Sequence, residues 1–274
     1  CIRDRLGSTL HTVNIRLSPS QIAYTIDHAE DDVILFHADF IPLLEEVMLE
    51  VKRDARLIVM RDSADIELPQ TTLKIEAIFD ELFINTDQYF SFPDFDENTR
   101  ATTFYTTGTT GNPKAVAYSH RQLVLHTMGI LATFGPMSAN NRFHNRDVYM
   151  PITPMFHVHG WGFPYAATML GLKQIYPNRY VPSRILALIC EHRVTFSHCV
   201  PTILHMLLDC DTAASADLSN WKLIIGGSAL SRGLAERALA KGINLFSAYG
   251  LSETCPLLTV AQLDPNDEEN LDAR

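Results

Sequence analysis

Short apolar runs alternate with longer amphipathic stretches in the first part of the chain. Residues 21–30 and 41–52 predict helices, the second because its apolar positions recur at intervals of three and four. Residues 32–36 and 55–60 are short, continuous apolar runs that predict buried strands. An order in which strands alternate with helices is typical of proteins built from βαβ units.

The same alternation resumes after residues 61–100, a polar and irregular stretch that we predict to be a connection. Strands are predicted over 115–118, 194–200, 223–225 and 243–248, and helices over 123–134, over 231–241 and from 182 and 201 onward. Ser119 and Gln122 have the spacing of a capping box, and Gly242 stands where the last helix should end. The pattern favours an α/β fold of layered βαβ subdomains with mainly parallel sheets, whose ligands bind beyond the carboxyl ends of strands.

Composition narrows the class of protein. The chain has 274 residues, of which 46% are hydrophobic and 20% charged, and its formal net charge is −10. That length supports a sizeable core in one large domain or two ordinary ones. An acidic chain without a run of lysine and arginine lacks the electrostatic footprint of proteins that bind nucleic acid or an anionic membrane surface. We therefore expect no nucleic-acid partner.

The cysteines favour a cytoplasmic setting, and the apolar runs are too short for a membrane-spanning helix. The five cysteines are odd in number and lack C-x-x-C spacing, which favours a reduced setting. No apolar run reaches the roughly 18 residues that a membrane-spanning helix needs, so we predict no transmembrane segment. The chain opens on Cys1 without the pattern of a signal or transit peptide. Peripheral association with a membrane is left open.

The segment 105–114, Tyr-Thr-Thr-Gly-Thr-Thr-Gly-Asn-Pro-Lys, has the composition of a phosphate-binding loop. Its two glycines allow a sharp turn and a close approach to a ligand, its threonines offer hydroxyl donors, and Lys114 adds a cation. Gly108 and Gly111 are too close together for a Walker A loop, which also needs a Gly directly before its Lys. The alternative is a flexible surface loop.

Two further segments carry candidate chemistry. In residues 149–161, His157 and His159 form an H-x-H pair, which is weak evidence for metal without a carboxylate or cysteine at ligand spacing. A core histidine and a core tryptophan, Trp161, are the plain alternative. The segments 224–230 and 247–256 each follow a predicted strand, where a nucleotide would lie, although a short Tyr-Gly-x-Ser-Glu motif alone indicates only a turn.

Together these motifs identify a family. The segment 105–114 closely resembles the phosphate-binding signature [Y/L]-T-[S/T]-G-T-T-G-x-P-K-G of the adenylate-forming superfamily, which includes acyl-CoA synthetases, luciferases and peptide-synthetase adenylation domains. Ala115 replaces the usual final glycine, a small-for-small change. Residues 154–161 are similar to the P-M-F-H-V-x-x-W phrase of fatty acyl-CoA synthetases, and residues 249–253 to the family's Y-G-x-[T/S]-E motif.

The resemblance implies a role for each matching residue. The adenine ring would lie between Tyr249 and the Gly226–Ser228 backbone. Glu253 and Thr106 would hold Mg²⁺. His157 would lie near the substrate carboxylate and the adenylate phosphate, and Trp161 would gate the tunnel for the alkyl chain. The nucleotide-binding residues implied in this way are Thr106, Thr107, Gly108, Thr109, Thr110, Gly111, Lys114, Gly227, Ser228, Ala248, Tyr249, Gly250 and Ser252.

The function implied by the resemblance is an AMP-forming acid–thiol ligase. Such an enzyme uses ATP and Mg²⁺ to convert a fatty acid into acyl-AMP and then transfers the acyl group to coenzyme A. Lys114, His157 and Glu253 would be its catalytic residues, acting by alignment and charge neutralisation rather than as nucleophiles. An aryl- or amino-acid-activating enzyme and a non-catalytic nucleotide-binding remnant remain alternatives.

The resemblance also predicts the domain organisation. Residues 1–100 would form an αβ portion of a large AMP-binding domain, and residues 101–274 the phosphate loop, acyl pocket and adenine site of that domain. The family's R-T-G-D motif and the lysine of its small C-terminal domain do not occur after Glu253. We therefore expect the small domain to be absent and the chain to be an internal piece of a synthetase, inactive by itself. A homodimer is left open.

Overall fold

A computed structural model describes residues 7–63, 65–84, 91–107, 111–137 and 141–261. The chain separates into two compact units, Cys1–His120 and Arg121–Arg274. This division follows packing, whereas the division expected at residue 100 followed the motifs. The assignment of both parts to one larger domain stays a prediction.

The first unit contains two three-stranded sheets. Its elements are β1 (Leu10–Thr12), α1 (Pro19–Ala29), β2 (Val33–His37), α2 (Ile41–Met48), β3 (Arg56–Met60), β4 (Ile75–Ile78), β5 (Arg100–Thr106) and β6 (Lys114–Ser119). One sheet has the order β2-β3-β4 and is wholly parallel, and the other has the order β1-β5-β6. In the second sheet β5 runs parallel to β1 and antiparallel to β6.

Helix α1 shows how local sequence sets an element. Ser18 forms a complete capping box with Gln21, Pro19 occupies the first turn, and Glu30 ends the helix in a left-handed conformation. The apolar faces of α1 and α2 pack on one side of the β2-β3-β4 sheet, against Phe36 among others.

Two expectations for this unit were wrong. Strand β2 was expected to be buried, yet Leu35 is 50% exposed, because the helices of this unit pack against the face of its sheet that carries Phe36. Residues 61–100 were expected to be a plain connection but contain β4 and a 3-10 helix over Phe79–Phe83. The four residues of β4 do not indicate a strand by their sequence, and the strand forms because it pairs with β3.

The second unit is a six-stranded sheet with helices on both faces. Its elements are α3 (His120–Phe134, which begins at the last residue of the first unit), β7 (Val148–Pro151), α4 (Phe163–Met169), β8 (Lys173–Gln174), α5 (Pro182–His192), β9 (Phe196–Cys199), α6 (Pro201–Leu208), β10 (Lys222–Ile225), α7 (Arg232–Ala240), β11 (Asn244–Gly250) and β12 (Leu257–Val260). The strand order is β12-β11-β10-β9-β7-β8, with only the β11–β12 pair antiparallel.

Strand β10 shows why this sheet is buried on both sides. Leu223 and Ile225 join a core with α5, α6 and α7, whereas Ile224 joins a second core with α3 and α4. Since side chains alternate across a strand, a continuous apolar run feeds both cores. The expected α/β fold with mainly parallel sheets is confirmed, as are the helices that begin at 182 and 201 and the helix that Gly242 ends with a φ of +76°.

Candidate functional site

The Thr/Gly segment connects β5 to β6 as a hairpin in the first unit. Thr106 and Lys114 face each other across the hairpin, and the Thr106 hydroxyl donates to the Lys114 carbonyl over 3.4 Å. Thr107, Gly111 and Lys114 are exposed. Gly111 has a φ of +88°, a conformation that favours glycine. The expected residues Gly108, Thr109 and Thr110 lie outside the described part of the chain.

Tyr105, the first residue of this segment, anchors the end of β5. Its side chain is buried, and its hydroxyl is 2.8 Å from Nδ1 of His28 on α1. Burial raises the pKa of the Tyr105 hydroxyl, and the nearby negative charge of Asp31 raises it further by a smaller amount. The strand that leads into the Thr/Gly segment is therefore fixed to a helix, whereas Thr107, Gly111 and Lys114 beyond its end are exposed.

In the second unit, the carboxyl ends of β10 and β11 meet the side chain of Trp161. A Cβ atom built on Gly226 would lie 3.2 Å from Cη2 of Trp161 and 3.0 Å from the carbonyl oxygen of Ala248. A Cβ on Gly227, whose φ is +80°, would lie 3.1 Å from Val200. The glycines therefore let the indole rest directly on the backbone that follows β10. Trp161, Gly226, Gly227 and Ala248 come together.

Trp161 is presented by an unusual turn. Five consecutive residues, 158–162, have positive φ angles, and Trp161 itself has a φ of +58°. A left-handed conformation costs L-residues roughly 1–2 kcal/mol each, and a bulky residue adopts it only when its surroundings hold it there. Such strain clusters at ligand-binding sites.

The two histidines of the H-x-H pair have different environments. His157 precedes the left-handed turn, is exposed and lies against the ring of Phe156 at 4.6 Å between centroids. His159 lies within the turn, and only 1% of it is exposed. His157 is exposed and Trp161 lies beside the glycine backbone, so both side chains could contact one ligand.

His198, at the end of β9, is a feature that sequence reasoning missed. It is completely buried, and its Nε2 lies 2.6 Å from the Tyr149 hydroxyl, while Nδ1 lies 2.9 Å from Oγ1 of Thr153. The Thr153 hydroxyl donates to the His198 carbonyl, so Nδ1 carries the ring proton and Nε2 accepts from Tyr149. Burial lowers the pKa of His198 to about 3, so the ring is neutral. The available sequence signal was a polar ring within an apolar strand.

The rings of Trp161 and Phe163 both stack on His198. Their centroids lie 5.2 Å and 5.1 Å from that of the imidazole, with interplanar angles of 29° and 25°. Trp161 thus contacts both a neutral imidazole and a glycine backbone, each contributed by the end of a different strand.

The remaining predicted residues lie at the same edge of this sheet. Tyr249 is 59% exposed, and β11 continues through it to Gly250, two residues beyond the predicted strand. Ser252 and Glu253 follow in a 3-10 helix, and the Glu253 carboxylate is exposed. Ser228 is also exposed, next to Gly227. An exposed aromatic ring and an exposed carboxylate beside a glycine backbone can accommodate a planar base and a bound cation.

Charged residues at the other end of the sheet form a structural pair. Asp147 is almost completely buried, lies 2.7 Å from Nζ of Lys222 and accepts a hydrogen bond from Thr195 over 2.6 Å. Burial lowers the pKa of Lys222, and Asp147 opposes that shift. The pair lines an open cavity of about 960 Å³ at the amino ends of the strands.

Two further observations concern the membrane and the thiols. Within the described ranges, no helix combines the length and the apolar composition that crossing a bilayer requires. Within the same ranges Cys190, Cys199, Cys210 and Cys255 form no disulfide bond, and Cys1 lies outside them.

Comparison with solved structures supports the fold. The luciferase-like enzyme of the nonluminescent mealworm Zophobas morio superposes with a TM-score of 0.78 at 19% identity, over 98% of this chain and 60% of that one. The anthranilate CoA ligase AuaEII, solved with anthranoyl-AMP, gives a TM-score of 0.79 at 19% identity, over 95% of this chain and 49% of that one.

Sequence comparison gives nearer relatives. A 3-methylmercaptopropionyl-CoA ligase of Ruegeria pomeroyi is 39% identical over 93% of this chain and 47% of its own length. A long-chain-fatty-acid–CoA ligase of Thermus thermophilus is 38% identical over 92% of this chain and 44% of its own length. The chain thus spans under half the length of these relatives. The family model described as AMP-binding enzyme matches residues 4–273, so the chain belongs to the AMP-binding enzyme family.

Proposed function

We propose that the protein containing this chain activates a fatty acid with ATP and transfers the acyl group to coenzyme A. Family membership supports adenylation, and the relatives from Ruegeria pomeroyi and Thermus thermophilus are named as CoA ligases. The observation that carries the proposal is the contact of Trp161 with the Gly226–Gly227 backbone, which places an apolar wall beside the proposed adenine-binding strand ends.

The chemistry has two steps. A carboxylate oxygen attacks the α-phosphorus of ATP, the bond from that phosphorus to the bridging oxygen breaks, and pyrophosphate leaves with the electron pair. The thiol sulfur of coenzyme A then attacks the acyl carbon, AMP leaves, and the thiol proton passes to solvent. Both steps depend on alignment and charge stabilisation.

The residues divide these tasks. Lys114 and the Thr/Gly backbone would bind the departing pyrophosphate, and Tyr249 would stack on adenine. The exposed Glu253 fits Mg²⁺, which takes one or two carboxylates together with phosphate oxygens, and Thr106 would add a hydroxyl. Bound Mg²⁺ would neutralise phosphate charge. His157 would hold the substrate carboxylate, and Trp161 would contact its alkyl chain.

Pyrophosphate exchange into ATP tests the proposal on the full-length protein in which this chain occurs. The acid panel should include medium- and long-chain fatty acids, 3-methylmercaptopropionate, benzoate and amino acids. We expect exchange with the fatty acids. Exchange with amino acids or benzoate alone would contradict the fatty-acid assignment, and exchange with 3-methylmercaptopropionate alone would move it to that short thioether acid.

Matched variants test the residue assignments. Lys114→Ala should lower exchange by about 10²-fold or more, because it removes a cation from the charge that develops on pyrophosphate. Lys173→Ala, at an exposed lysine of β8, should leave exchange unchanged. Glu253→Gln should raise the Mg²⁺ concentration needed for half-maximal exchange, whereas Glu236→Gln on α7 should not. Equal effects within either pair would refute the assigned role.

A further inference from the structure

Trp161 needs an external support for its position. Its backbone lies in the left-handed region, within a run of five residues that share this conformation. The chain would relax from such a conformation unless contacts of the side chains outweighed the strain. The contacts of the indole must therefore hold Trp161 in this backbone conformation.

The six-membered ring of the indole lies against a backbone that offers little selectivity. Gly226 and Gly227 have no side chains, so they admit the ring but do not orient it. A second contact is the face of His198, whose ring plane makes an angle of 29° with the indole plane. An aromatic face at this distance favours one arrangement of the partner ring over others.

His198 is itself held rigidly. Hydrogen bonds reach both ring nitrogens, one from the Tyr149 hydroxyl on β7 and one to Thr153 just beyond β7. Because both nitrogens are bound, the imidazole cannot flip or tilt without breaking a bond in a buried site. Two neighbouring strands thereby fix the plane of a ring that Trp161 contacts.

We propose that His198 is a positioning residue, which holds the indole of Trp161 against the Gly226–Gly227 backbone and so sets the opening through which the acyl chain of the substrate is bound. Its effect on substrates rests on the proposed function, whereas its effect on Trp161 does not. His198 itself touches no reacting atom.

Fluorescence of Trp161 tests the structural part directly. The chain has two tryptophans, so Trp221→Phe leaves Trp161 as the only tryptophan, and excitation at the red edge of the absorption band, beyond tyrosine absorption, reports on it alone. In this background, His198→Leu fills the space without an aromatic face, and His198→Phe keeps a face but loses the hydrogen bonds. We expect the population in which Trp161 has left its position to increase by about two- to tenfold in the Leu variant, the range that loss of one ring stack supports. Acrylamide quenching and the rotational freedom of Trp161 should both increase with that population. The Phe variant should restore most of the order.

Equal quenching and anisotropy in the parent, Leu and Phe proteins would overturn the proposal. If the Leu variant does not fold, as judged by circular dichroism, Tyr149→Phe decides the matter, because it keeps every ring and removes one bond to His198. Increased mobility of Trp161 in that variant supports the proposal, and unchanged mobility overturns it.

Kinetics of the full-length protein test the functional part. His198→Leu should change KM for the carboxylic acid and the ratio of rates for long and short acids, while KM for ATP stays within about twofold. A residue that mattered only for folding would lower kcat for every acid alike, and that pattern would overturn the functional role. If the parent protein catalyses exchange with no acid while the His198 variants still show altered Trp161 fluorescence, the proposed function is wrong and the positioning role is right.

Discussion

Replacing His198 should change how the stability of the second unit depends on pH. Burial lowers the pKa of His198 from 6.5 to about 3. Between these two values the unfolded chain binds a proton that the folded chain does not, so stability is full above pH 6.5 and declines as the pH falls toward 3. At about pH 5 the loss is about 1.5 pKa units, or about 2 kcal/mol at 1.36 kcal/mol per unit.

Urea unfolding followed by tryptophan fluorescence measures this loss. Both tryptophans, Trp161 and Trp221, lie in the second unit, so the signal reports on the unit that contains His198. We expect the free energy of unfolding of the parent protein to fall between about pH 7.5 and about pH 5, and that of His198→Phe to fall by about 2 kcal/mol less. The orphaned Tyr149 hydroxyl costs the variant the same at both pH values, so it cancels.

A second histidine sets the control. Burial lowers the pKa of His126 to about 4, so His126 adds its own loss in the same pH range in both proteins. The difference between parent and variant therefore isolates His198. If the two proteins lose stability equally, within about 0.5 kcal/mol, then His198 is not held neutral in the folded protein and the reasoning fails.

Two further predictions concern packing and charge. Gly250→Ala would place a Cβ 1.9 Å from the carbonyl oxygen of Pro256 and should lower the free energy of unfolding by about 3 kcal/mol. Gly129→Ala, at a position in α3 with open space around it, should raise the free energy of unfolding by about 0.5–1 kcal/mol. Urea titration measures both changes, and equal effects would contradict the prediction. Asp147→Ala should cost about 3–5 kcal/mol because Lys222 keeps a buried charge without its partner, and adding Lys222→Met should recover part of the loss, an outcome that a thermodynamic cycle checks and that full additivity would refute.

The sequence predicted most of the fold because the determining interactions are local. The apolar spacing of residues 41–52, the proline at the start of α6 and Gly242 after α7 act within a few residues of one another. Apolar runs such as 223–225 predicted strands that are buried on both faces. The glycines that follow strand 223–225 were also predicted from the sequence, since a turn after a strand depends on local conformation.

Only the tertiary structure decided which long-range contacts form. Strand β4 exists because β3 offers it a partner, and Leu35 is exposed because the helices cover the other face of its sheet. His198 meets Trp161 through the pairing of β7 with β9 and a left-handed turn that local preference opposes. Contacts of this kind join residues far apart in the chain, and their energies depend on the completed packing. The sequence by itself therefore determined the family, the α/β architecture and the candidate motifs, while the folded packing decided how the tryptophan of the candidate site is held.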